Sequence, residues 1–292
     1  MARMNTAGRL VVHADRRLAE QLRSLGGQRM VFFAGLPGTG KSLLVHQLAH
    51  LAGDAGRRIH LLQWDVARPV FEASPAGRRY PLGDGVTHAV IRKAAGLWVR
   101  HALVEWNARH PEPEHLLIGE TPFVGNRFVE LARRADDRAE ALLAAASCRF
   151  VVAVPSGEVR RFLEAERARR ATSPLHSRER EDAPPSVLHD LWRDLVEVAG
   201  RLGITAPGAP GAGYDPLVYR RVYEKVLRDR NVEVVALDVI LPTETLSVYD
   251  FAIAPLDLIP TDAEAEEFIR EVERRYPNPT VLEREIARWW EV

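Results

Sequence analysis

The sequence predicts an α/β fold: a mostly parallel sheet of five strands with helices on both faces. Three observations carry this expectation. Short runs rich in apolar and β-branched residues alternate with longer segments of helical period. The runs are apolar throughout, as strands covered on both faces are. The first run passes straight into a Gly-rich segment that opens a helix. Such alternation gives parallel pairing, with ligands bound beyond the carboxyl ends of the strands.

Residues 8–26 are amphipathic and predict a helix leading into the first strand, Met30-Val31-Phe32-Phe33-Ala34. Leu43, Leu44, Leu48 and Leu51 then recur near helical spacing, and Gly53-Asp54-Ala55-Gly56 closes that helix. A second strand is expected over 58–65, ending in Asp65. Helical period returns over 84–109. A third strand over 115–120 ends in Glu120, and 126–146 reads as helix. The fourth strand, 150–155, is stopped by Pro155. An Arg-rich helix follows over 157–171. Residues 172–186 are polar and Pro-containing and read as a mobile loop, so 156–186 together form an expected lid. Leu188, Leu191, Leu195 and Val198 mark a helix over 187–203, and 206–213 is a Pro/Gly turn or linker. We take 187–231 as a helical insertion. The fifth strand is expected over 232–238, and 1–292 is expected to be a single domain.

Composition narrows the function classes. The chain has 40 Lys+Arg and 40 Asp+Glu, so its formal net charge of zero argues against wholesale polyanion binding. Cys148 is the only cysteine, which excludes a disulfide framework and a cysteine metal cluster. It reads as a small core residue. His176, Glu179, Glu181 and Asp182 lack a second histidine at ligand spacing, which argues against a metal there. Trp289 and Trp290 read as core or docking aromatics. No run approaches 18 apolar residues, and the N-terminus carries arginines without an apolar core segment. We therefore expect no membrane span, no signal peptide and a cytoplasmic location.

Gly35-Leu36-Pro37-Gly38-Thr39-Gly40-Lys41-Ser42 matches G-x-x-x-x-G-K-[ST] without a mismatch. Its context, strand before and helix after, is the one in which this pattern binds phosphate. Glycines let successive N–H groups turn inward, and the helix N-terminus adds its dipole. The expected nucleotide contacts are Gly35, Pro37, Gly38, Thr39, Gly40, Lys41, Ser42 and Leu43. Lys41 can reach the β- and γ-phosphates, and Ser42 can ligate Mg²⁺. Only three lysines (Lys41, Lys93, Lys225) stand among many arginines, so a lysine here is not compositional noise.

Asp65 can hold Mg²⁺ through water or accept the proton of an attacking hydroxyl; the plainer alternative is a helix cap. Glu120 can bind the Mg²⁺ shell or polarise water. Arg160, Arg161, Arg167, Arg169 and Arg170 crowd one helix; Arg167 and Arg170 are expected to reach phosphate, although interleaved glutamates also suit a solvated ion-paired face. Arg68, Arg92, Lys93 and Arg127 are candidates to line an acceptor pocket.

These segments resemble the small P-loop kinases that include L-seryl-tRNA kinase, adenylyl-sulfate kinase, chloramphenicol phosphotransferase and zeta-toxin-type kinases. The resemblance lies in residues 35–42, in Leu62-Gln63-Trp64-Asp65-Val66-Ala67-Arg68, and in Leu117-Ile118-Gly119-Glu120-Thr121 with Asn126-Arg127 soon after. It continues through Val152-Ala153-Val154-Pro155 and the helix containing Glu166-Arg167. It covers roughly 28–171 and the strand around 232–238. It implies a P-loop NTPase three-layer sandwich with a kinase-like lid, and ATP- and Mg²⁺-dependent phosphorylation of a hydroxyl. It matches Lys41 and Ser42 to nucleotide residues, Asp65 to the base or metal partner, and Arg167 and Arg170 to lid arginines. Glu120 departs from the aspartate that relatives often carry.

The expectation is thus an ATP-dependent phosphotransferase with Lys41, Asp65, Glu120, Arg167 and Arg170 catalytic, and Ser42, Asp65 and Glu120 at the metal. The acceptor is expected to be a small metabolite, nucleoside or nucleotide; nucleic acid is disfavoured, with tRNA left open. The oligomeric state is not set by the sequence. The alternative is a nucleotide-hydrolysing switch acting on a protein partner. No Asn-Lys-x-Asp or Thr-Lys-x-Asp guanine-reading motif is present.

Overall fold

The computed structural model describes residues 10–83, 85–206 and 213–292. The first residues of the predicted leading helix (8–9), residue 84, and 207–212 of the predicted linker lie outside the described residues. Six strands form one sheet: Met30–Ala34 (β1), Arg58–Gln63 (β2), His115–Thr121 (β3), Cys148–Pro155 (β4), Val232–Leu237 (β5) and Leu256–Asp257 (β6). Their order is β5-β4-β1-β3-β2-β6, and every pairing is parallel.

The helices are Arg16–Gly26 (α1), Lys41–Asp54 (α2), Trp64–Ala73 (α3), Ala89–Arg109 (α4), Arg138–Leu143 (α5), Gly157–Thr172 (α6), Pro185–Arg201 (α7), Pro216–Val226 (α8), Asp262–Arg275 (α9) and Pro279–Ala287 (α10). They cover both sheet faces. Strand side chains alternate between faces. Val31 and Phe33 join a core with α1 and α2, whereas Met30, Phe32 and Ala34 join the opposite core with α4, α8, α9 and α10. Trp289 and Trp290 belong to that second core. Local signals set the helix starts. Asp15 accepts from Leu18 N at α1, Ser156 from Val159 N at α6, and Thr261 with Glu264 forms a capping box at α9.

The register places the ends of the central strands on one rim. Phe33 pairs with Glu120, Gln63 also pairs with Glu120, and Ala34 pairs with Val152. From β1 the chain builds β2 and β3 on one side, then β4 and β5 on the other. The carboxyl end of β1 is therefore the topological switch point, where open α/β sheets bind ligands.

Several expectations need correction. The sheet has six strands, not five; β6 is two exposed residues beside β2. Asp65 lies in the first turn of α3, two residues past the end of β2. Only 138–143 of the predicted helix 126–146 is α-helical, with a 3₁₀ turn over Val129–Leu131. Left-handed backbone at Asn126 and Phe128 breaks the helix there. Residues 172–186 are pinned rather than loose. A 3₁₀ turn, Ser177–Glu181, is capped by His176, and Glu179 accepts from Arg170 Nη1 (3.0 Å), Ser247 Oγ (2.7 Å) and Leu175 N (2.6 Å). Within 187–231, Trp192, Leu195, Tyr219 and Tyr223 join the core that holds Phe32.

Candidate functional site

The Gly-rich loop connects β1 to α2. Gly35, Gly38 and Gly40 have φ of 142°, 73° and 85°, values that residues with a Cβ rarely adopt. Space is tight as well. A Cβ on Gly35 would come within 1.9 Å of the Tyr219 hydroxyl, so α8 forms a floor that only glycine clears. Around the rest of the loop stand Arg160 from α6, Leu188 from α7 and Leu237 from the end of β5. Arg160 donates from Nη1 to the Pro37 carbonyl (3.0 Å), is oriented by Glu164 (2.7 Å), and lies 5.5 Å from the Tyr214 ring centre.

Inside the loop, Thr39 Oγ1 donates to the Leu36 carbonyl (2.9 Å), and so does Lys41 Nζ (2.8 Å). Lys41 is 3% exposed and sits 3.6 Å from Glu120 Oε1. Ser42 Oγ lies 3.1–3.2 Å from both Glu120 carboxylate oxygens, to which it donates. Burial pulls the Lys41 ammonium below its ordinary pKa, and Glu120 opposes that shift; Arg167 lowers it further and Asp65 raises it. Lysine, serine hydroxyl and carboxylate thus converge at the N-terminus of a 14-residue helix. The serine oxygen and carboxylate are hard ligands of the kind Mg²⁺ takes, and the ammonium and backbone amides suit a polyphosphate.

The remaining predicted residues separate into two groups. Asp65 is exposed on α3 and acts electrostatically on both Lys41 and Arg127. Arg167 is within electrostatic reach of Lys41, while its guanidinium contacts the Ala183 carbonyl (3.4 Å) and Asp182 (3.7 Å). Arg170 points elsewhere. Its guanidinium is taken up by Glu179 and by the carbonyls of Thr243, Glu244 and Leu246. Its geometry is that of an anchor for α6, not of a phosphate ligand. Lys93 is likewise committed, to Glu130 (2.9 Å) and Glu285 (2.6 Å). Leu43 is in the first turn of α2 and contributes backbone to the loop's rim.

Sequence reasoning did not single out Arg160 over its neighbours, and it missed Tyr219 and Tyr214. One signal was available for Arg160: it falls in the first turn after β4, hence beside the strand ends. The tyrosines follow the linker at 206–213 and carry no motif.

A cleft of about 700 Å³ lies between α4, residues 130–139 and α9, and includes none of the loop residues. Three histidines, His60, His110 and His115, gather on the β2 side; His60 Nε2 and His115 Nδ1 are 2.8 Å apart. Burial, then His110, His115 and Arg29, push His60 down to about 4. No described helix is long and apolar enough to cross a membrane. Comparison with family models, curated proteins and solved structures finds no match to the chain.

Proposed function

We propose that the chain binds ATP·Mg²⁺ on residues 35–42 and transfers the γ-phosphoryl group to a hydroxyl of a small acceptor. The observation that carries this reading is the convergence of Lys41, Ser42 and Glu120 at the β1–α2 turn, on the switch point of a parallel sheet. Lys41 neutralises charge on the β- and γ-phosphates. Ser42 and Glu120 would hold Mg²⁺, which supplies Lewis-acid stabilisation when bound. Arg167 supports charge at the transferring group from the α6 side.

Asp65 stands across from Lys41 and orients or deprotonates the acceptor hydroxyl. Little covalent chemistry is asked of the protein; positioning and electrostatics supply most of the rate in such transfers. The test is nucleotide turnover with and without a panel of hydroxyl acceptors. Slow hydrolysis alone, accelerated by one acceptor class with stoichiometric phosphorylated product, is the expected result. Asp65→Asn should abolish transfer while nucleotide affinity stays within about twofold. Acceptor-independent turnover stimulated by a protein partner would instead favour a switch.

A further inference from the structure

Beside Asp65 lies a group of cations that the rest of the fold leaves unmatched. The Arg127 guanidinium makes no hydrogen bond or ion pair with any described residue, and its Nε is buried. Arg68 and Arg92 also bury an Nε without a partner. Arg92 uses one N–H on the Gly125 carbonyl (2.9 Å), and Arg68 has a single long contact to Glu72 (3.4 Å). Arg133 and Arg170 also bury an unpaired Nε, but their other N–H groups meet Glu285 and Glu179, and three further guanidiniums are more fully matched. Arg57 donates to four backbone carbonyls; Arg100 and Arg230 each meet carboxylates and carbonyls together.

The segment that presents Arg127 is strained. Phe123, Asn126 and Phe128 all have φ near +60°, and Gly125 is left-handed too. Non-glycine residues held in this region concentrate at functional sites. Here the strain is maintained from below. Tyr223 donates to the Pro122 carbonyl (3.0 Å), Asn126 Nδ2 donates to Glu130 (3.2 Å), and Lys93 fixes Glu130. Arg68 lies three residues after Asp65 on α3, so the two share a helix face. Arg92 is pushed down to about 10 by burial, with Arg127 adding repulsion. Arg127 is lowered by burial and by Arg68, and Asp65, then Tyr223, oppose this.

We propose that Arg127, with Arg68 and Arg92, forms an anion-binding subsite that holds a phosphate or carboxylate group of the acceptor beside Asp65. Planar guanidinium forks match both groups, and an anion there would offset the mutual repulsion of Arg127 with Arg68 and Arg92. The word "acceptor" rests on the phosphotransfer reading; the anion subsite itself does not.

The experiment is calorimetric titration of the protein, saturated with a non-hydrolysable ATP analogue and Mg²⁺, with inorganic phosphate and separately with acetate. One anion should bind outside the occupied loop, and Arg127→Gln should weaken it at least tenfold. The variant should keep analogue affinity within twofold and unfold at the same temperature or higher, because it removes an unmatched cation. A preference for phosphate or for acetate assigns the source. If the analogue fails to bind, the nucleotide reading falls. The same titration on Lys41→Met, which disables the loop, then still tests the subsite. The proposal is overturned if no Arg127-dependent anion uptake is seen in either protein. It is also overturned if Arg127→Gln lowers the unfolding temperature as far as Arg230→Gln does, because that marks a structural role.

Discussion

Among the described residues Glu120 is the only carboxylate in contact with Lys41, and replacing it by glutamine tests how that ammonium is kept charged. At 3.6 Å the Coulomb attraction is about 1 kcal/mol at a dielectric of 80 and about 5 kcal/mol at 20. Lys41 is almost wholly buried, but the Glu120 side chain is 20% exposed, so screening keeps the coupling toward the middle of that range. We expect about 2 kcal/mol of interaction energy. The assay is a double-mutant cycle in urea with Glu120→Gln, Lys41→Met and the double variant. Glu120→Gln alone should destabilise, because it strands a buried cation. The double variant should recover most of that loss. A coupling under about 0.3 kcal/mol would refute the arrangement. The same variant should bind nucleotide without Mg²⁺ at least as well as the parent, since a negative charge near the phosphates is gone, and should lose the Mg²⁺-dependent gain in affinity.

Gly35→Ala should cost about 2–5 kcal/mol, combining the positive-φ penalty with overlap on the Tyr219 hydroxyl. Thermal unfolding should show about 1 kcal/mol of that loss relieved by Tyr219→Phe, and full additivity would count against the contact. His60 binds its proton more weakly in the folded state (about 4) than when free (6.5), so the unfolded chain takes up more protons across that interval. Stability should therefore fall as pH drops through 6.5, with the loss complete near 4 and at most about 3 kcal/mol. His60→Gln should flatten this part of the curve, and parallel profiles for the two proteins would contradict it. Glu285 joins Lys93, Arg133 and the Tyr276 hydroxyl, and it is held down to about 2 despite the burial that opposes this. Glu285→Gln should cost about 2 kcal/mol, discounted for partial exposure, and should speed amide exchange in α10.

Much of the fold was legible because buried parallel strands announce themselves as apolar runs. β1, β3, β4 and β5 fall within a residue or two of their expected bounds. Asp65 was assigned to a strand end because an acid after an apolar run gives no sign of whether the chain has already turned helical. The helix expected over 126–146 failed where tertiary contacts overrode periodicity. Asn126 reaches Glu130 and Phe128 buries fully, both from left-handed backbone. β6 carries no pattern, since two exposed residues cannot show one. Within α6, composition could not tell which arginines face the loop. Arg170 was expected to reach phosphate and Arg160 was not singled out, yet of the two only Arg160 reaches the loop, because Glu179 sits beside Arg170. The cation group around Arg127 was visible only as scattered residues on three elements.

The Arg170 anchor has a mechanical corollary. One guanidinium staples the far end of α6 to residues 179 and 243–247, and Ser247 closes the ring through Glu179. The near end of α6 is stitched to the Gly-rich loop backbone by Arg160. That helix therefore cannot swing like a door on a free edge. Any rocking of it drags the stretch between β5 and β6 along and tugs on Pro37, so strain at one end of α6 is passed to the other.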